Sequence, residues 1–194
     1  MSRNLKQFPY FSFCVSYEPQ TNSQDEELGQ VSALSLKELG TAAKEKWCRA
    51  TEEKLHILAE KYKDNQCFLY NLYSVYEEYD EYEKAYKTAM ELYKKFPGFI
   101  YGLFALCFSA INLELQDQIP NIIGKEMKLN KLYPDRDVFS SIEVLTFYYI
   151  VFEYYRFLNN FEKMKEISEL MVDVDSDNTF TKHVKSVFLQ FDSE

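Results

Sequence analysis

Residues 66–97, QCFLYNLYSVYEEYDEYEKAYKTAMELYKKFP, decide how the rest of the chain is read. Leu69, Leu72, Tyr73 and Tyr76 are spaced to share one face of a first helix. Tyr82, Ala85, Ala89 and Leu92 do the same in a second, which Pro97 stops. The stretch therefore predicts a helix, a tight turn and a second helix. A pair this short cannot bury its apolar face alone and needs similar neighbours to stack on. Stacks of that kind usually bind other proteins rather than run chemistry.

Outward from this pair, helical periods continue in both directions. Ser35 and Glu38 form a capping box, and Leu36, Leu39, Ala43 and Trp47 mark a buried face. Thr51 is placed to cap the next helix, with Leu55, Leu58, Ala59 and Tyr62 inward. After Pro97, helices are expected at 99–114, at 118–132 ending before Pro134, at 138–158, at 161–172 and at 179–191. Short turns between them imply antiparallel neighbours. Only residues 10–17 have the period of a strand, with Phe11, Phe13, Val15 and Tyr17 alternating against Tyr10, Ser12, Cys14 and Ser16. A polar, acidic linker, QTNSQDEELGQ at 20–30, separates that segment from the helices. The expected organisation is thus an extended N-terminal segment and linker at 1–30, and a helical domain at 31–194.

Composition bounds the function. A chain of 194 residues can hold one real core or a short solenoid, and only five Gly and five Pro argue against a sandwich or barrel. A net charge of −9 argues against nucleic-acid binding, which needs Lys and Arg to neutralise phosphates. The acidic balance favours a basic protein partner instead. Cys14, Cys48, Cys67 and Cys107 show no CxxC and no matched spacing, which reads as four reduced, mostly buried thiols. The N-terminus is a poor signal peptide. The most apolar run, FYYIVFEYYRFL at 147–158, carries Glu153 and Arg156 and reads as a buried helix rather than a membrane span. The expected location is cytoplasmic.

The segment 66–97 resembles a tetratricopeptide repeat and fits that pattern without a gap. Three positions depart from it: Tyr73 where the pattern is small, Ala89 where it is aromatic, and Leu92 where it has a later alanine. Exchanging large and small residues across one interface can conserve volume. Weaker copies run over 103–134 and 142–177; in the latter, NNFEKMKEISEL echoes DEYEKAYKTAMEL. The resemblance implies an all-α fold, antiparallel helix pairs stacked as a short right-handed solenoid, preceded by the extended segment. In such stacks the first helices line a concave groove that contacts the ligand. Carried over, that puts Tyr70, Asn71, Ser74, Glu77 and Glu78 on the groove, then Ser109 and Asn112, then Tyr149, Glu153 and Arg156. Family members that clamp a terminal carboxylate use a ring of Lys and Asn. Only Asn71 fits that role, so that subclass is not expected here.

Chemistry-bearing motifs are sparse. His56 and His183 are the only histidines, and there is no HExxH, Cys/His cluster or glycine-rich phosphate loop. DVDSDN at 173–178 resembles the first half of an EF-hand loop, but Asn178 stands for the glycine and Val184 for the bidentate glutamate. It reads as a turn whose Asp and Asn cap the last helix. No metal or cofactor is expected.

The leading expectation is a non-enzymatic protein-binding module with an acidic, tyrosine-rich concave face. The N-terminal strand would add to the partner or fill the groove itself. A second reading is a small acidic immunity or inhibitor protein that neutralises a basic toxin such as a nuclease. A third is a small-ligand receptor or enzyme with a pocket near 147–158, to be recognised by buried polar groups converging there.

Overall fold

The computed structural model describes residues 5–9, 11–16, 38–39 and 47–191. The capping box at Ser35, the positions Leu36 and Ala43, the linker at 20–30, and Tyr10 and Tyr17 lie outside the described residues. The described chain is mostly helical, with nine α-helices and a three-stranded sheet. It forms two compact units. One holds the helices up to Glu114; the other joins the N-terminal strands to the chain from Leu115 onward. Residue contacts therefore do not follow the division expected at residue 30, because the strand segment packs with the C-terminal half.

In the helical unit, α1 is Arg49–Lys61, α2 Gln66–Glu78, α3 Tyr82–Lys95 and α4 Ile100–Asn112. Asn65 caps α2 by accepting from the Phe68 amide at 2.9 Å, which satisfies one orphan donor of the first turn. The turn to α3 runs through Asp80 at φ 59°, a left-handed conformation that Asp tolerates better than bulkier residues. It closes with the Glu81 amide on the Tyr76 carbonyl at 2.9 Å. Leu69 and Leu72 of α2 and Ala85, Ala89 and Leu92 of α3 are buried, as the periodicity predicts. Gly102 lets α4 approach α3 closely, since a Cβ there would lie 3.1 Å from the Leu92 Cγ. Thr51 is not the cap of α1. The helix starts two residues earlier, after Cys48, and Thr51 is fully buried in its first turn.

The second unit is built on β1 Leu5–Gln7, β2 Cys14–Ser16 and β3 Val138–Ser140, with β2 in the middle. Strand β2 pairs antiparallel with β1 and parallel with β3, with Val15 opposite Phe139. A central strand has both edges occupied, so β2 cannot add itself to a partner's sheet. The strand is shorter than the 10–17 expected. Phe11 and Phe13 precede β2 in a bend yet are buried with Val15, and Phe13 meets Phe139 edge-on at 4.8 Å. Ser16, on the side expected to face outward, is buried as well.

The expected helix at 118–132 is broken. A 3-10 turn, Gln116–Gln118, leads into α5, Ile119–Ile123, which stops at Gly124 (φ 77°) before a four-residue α6, Leu129–Leu132. The second helix of the copy at 103–134 is therefore two short pieces. The long apolar helix, α7, is Ser141–Phe157 rather than 138–158, because 138–140 is β3 and Ser140 caps the helix. Ser140 and Glu143 close a reciprocal capping box. Buried positions run round most of α7, among them Val144, Phe147, Ile150, Val151 and Phe152. Helices α8, Phe161–Val174, and α9, Thr179–Phe191, complete the unit. Between them Asn178 accepts from the Phe180 amide at 2.9 Å and Asp175 from the Asp177 amide at 2.9 Å, the helix-capping turn expected of DVDSDN. Among the described residues no helix is long and apolar enough to cross a membrane.

Candidate functional site

The positions carried over from the repeat pattern fall into one set per unit. On the helical unit they lie on α2 and α4. Tyr70 of α2 meets Tyr101 of α4 with ring centroids 6.0 Å apart. Seven residues further along α2, Glu77 accepts from Ser109 Oγ at 3.1 Å and from the Asn112 side-chain amide. Both contacts step forward together, so α2 and α4 run parallel and their C-terminal ends lie side by side. The face has an aromatic end, Tyr70, Phe99 and Tyr101, and an acidic end around Glu77 and Glu78.

The individual positions are not equivalent. Glu78 and Asn112 are exposed, and Tyr70, Asn71, Ser74 and Glu77 are half-buried. Ser109 is fully buried, so it acts beneath the face, on Glu77 and on the Tyr73 hydroxyl, rather than on a ligand. Asn71 and Ser74 donate to carbonyls of their own helix, those of Cys67 and Tyr70. Burial pushes the Glu77 carboxyl up from its ordinary value, while the Ser109 and Asn112 hydrogen bonds pull it back. Burial also raises the Tyr70 and Tyr73 hydroxyls. Tyr101 is not among the positions carried over from the repeat pattern; its i, i+11 spacing with Asn112 along α4 was the signal available.

In the other unit Tyr149, Glu153 and Arg156 come together on α7. Glu153 is 4 % exposed and pairs with Arg156 Nη2 at 2.7 Å. The Tyr149 hydroxyl also hydrogen-bonds it, and burial with the nearby carboxylate pushes that hydroxyl up to about 12. The ring of Tyr149 stacks on Phe180 of α9 at 4.6 Å. His183, also on α9, brings Nε2 to 3.9 Å from Glu153 Oε1, an oxygen with no hydrogen-bond partner. Polar groups therefore meet along this apolar helix, but only Glu153 is buried; Arg156 and His183 are exposed. His183 was not associated with them in the sequence, because only the packing of α9 on α7 brings it there.

The helical unit also has a cavity of about 520 Å³ between α1, α2 and α3. Its lining includes Leu69, Leu72 and Tyr76 from α2, with Glu52, Lys84 and Lys87 among its charged groups. Lys84 is held by Glu52 and Glu81, each at 2.8 Å, and lies 4.8 Å over the Trp47 ring. His56 is exposed and lines the same cavity. No group of three or more potential metal-ligating side chains occurs among the described residues. Compared with known proteins, the chain matches no protein family, no curated protein and no solved structure.

Proposed function

We propose that this chain is a non-enzymatic protein-binding module whose binding face is formed by α2 and α4. The observation that carries the reading is the parallel alignment of these helices, which puts half-buried aromatic rings and unneutralised carboxylates on one surface. Tyrosine rings there offer flat apolar area with a hydroxyl, a combination enriched at protein interfaces. The acidic end also suits the narrower role of an inhibitor that covers a basic toxin.

A second reading, a small-ligand or enzymatic site, rests on the convergence of Glu153, Arg156, His183 and Tyr149. Partner capture by the immobilised protein distinguishes them. Glu78→Lys should weaken capture without lowering the melting temperature. Tyr101→Ala should weaken it in a chain that still folds but loses some stability with its ring contacts to Tyr70, Phe99 and Phe104. Glu162→Lys, on the exposed face of α8, should leave capture unchanged. A partner retained equally by all three variants removes the α2/α4 assignment.

A further inference from the structure

Neither α2 nor α4 carries a single Lys or Arg, and neither has a basic residue in its last turn. A helix C-terminus holds partial negative charge on its unpaired carbonyls and ordinarily attracts cations. Here two parallel C-termini lie together, and Glu77 and Glu78 add full charges to the last turn of α2. Asp80 and Glu114 follow directly after the two helices, both exposed. Lys84, at the start of the neighbouring α3, is already engaged by Glu52 and Glu81. The acidic end is therefore left without a helical countercharge of its own.

The aromatic end lies seven residues back, about 10.5 Å along α2 at the rise of an α-helix. A polyproline-type segment returns to the same face every three residues, about 9.3 Å, so it spans the two ends with one turn. We propose that the α2/α4 face takes an extended basic segment of the protein partner. One apolar side chain of that segment lies on Tyr70 and Tyr101, and an Arg or Lys three residues further on sits among the carboxylates. The inference rests on the protein-binding reading and adds to it the chemistry of the ligand.

The test is a proline-rich peptide carrying leucine and, three residues later, arginine, titrated into the isotope-labelled full chain and followed by NMR. Expected shifts are confined to α2 and α4. Affinity should fall about tenfold or more when the arginine becomes citrulline, its neutral isostere, or in the Glu78→Lys protein. Tyr101→Ala should weaken the arginine and citrulline peptides alike. Equal affinity of the two peptides, shifts spread over the whole acidic surface, or no binding at millimolar peptide overturns the proposal. Partner capture lost in Tyr101→Ala but retained in Glu78→Lys also overturns it while leaving the protein-binding face in place. Capture that ignores both variants takes the face with it.

Discussion

Two carboxylates are almost wholly withdrawn from water in the second unit, and their surroundings differ in a way that stability measurements can read. Glu143 accepts from the Ser140 amide at 2.7 Å, from Ser140 Oγ at 3.1 Å, and from Arg136 Nη2 through both oxygens at 2.9 and 3.1 Å. Arg136 in turn lies 4.3 Å over the Phe139 ring, so one guanidinium ties β3 to the first turn of α7. Removing it leaves a buried charge with only neutral donors. Arg136→Ala is expected to cost about 3 kcal/mol in urea unfolding. Glu153 has Arg156 on one oxygen and no hydrogen-bond partner on the other. Neutralising it gives up little, because Arg156 is half-exposed and can be solvated. Glu153→Gln is accordingly expected within about 1 kcal/mol of the parent, whereas Glu143→Gln loses more. Glu77 makes a pH prediction. Its carboxyl is raised by burial, so the folded chain holds that proton more tightly than the unfolded one. The associated stability is present at low pH and lost as pH rises through the folded value. Glu77→Gln should therefore raise the melting temperature at neutral pH, and the gain should vanish as pH falls below the ordinary carboxylate range.

At the scale of elements, what could be read in advance was whatever is decided locally. Helices α2, α3, α8 and α9 follow from amphipathic periods, Pro97 and the Asn caps, all signals within a few residues of the element they define. Strand β3 could not be read that way. Val138, Phe139 and Ser140 are a strand only because β2, far away in sequence, pairs with them. For the same reason the alternation at 10–17 marks Phe11, Phe13 and Val15 as inward but shows neither that Ser16 is buried nor that the strand is limited to Cys14–Ser16 with both edges occupied. Repeat spacing puts Glu77 and Asn112 on one face, and the two are hydrogen-bonded, whereas burial of Ser109 and the meeting of His183 with Glu153 depend on how helices pack. The break after α5 lies at a glycine that the apolar period runs straight through, Gly124. Its φ of 77°, with nothing within 4 Å of a Cβ, makes the cost of substitution one of backbone alone. Gly124→Ala should destabilise by about 2 kcal/mol, because φ 77° with ψ 151° is a backbone region that essentially only glycine occupies. Gly98→Ala, in equally open space without a positive φ, should be close to neutral, and thermal unfolding of the pair isolates the backbone term.

For the molecule as a whole, the quantity that matters is the field of 31 acidic against 22 basic side chains. A net charge of −9 acts over distances longer than any contact and raises the rate at which a basic partner arrives. It does little to how long the partner stays, which depends on short-range packing against rings such as Tyr70 and Tyr101. The two contributions separate with salt, because the screening length shrinks from about 10 Å at 0.1 M to about 3 Å at 1 M. Surface-plasmon-resonance kinetics of the captured partner should show association slowing by about tenfold or more over that range, with dissociation changing far less. Glu78→Lys should flatten the salt dependence of association. Tyr101→Ala should leave that dependence intact and speed dissociation instead. An association rate indifferent to salt would mean that the acidic surface serves solubility alone, and the binding face would then have to act through its aromatic end.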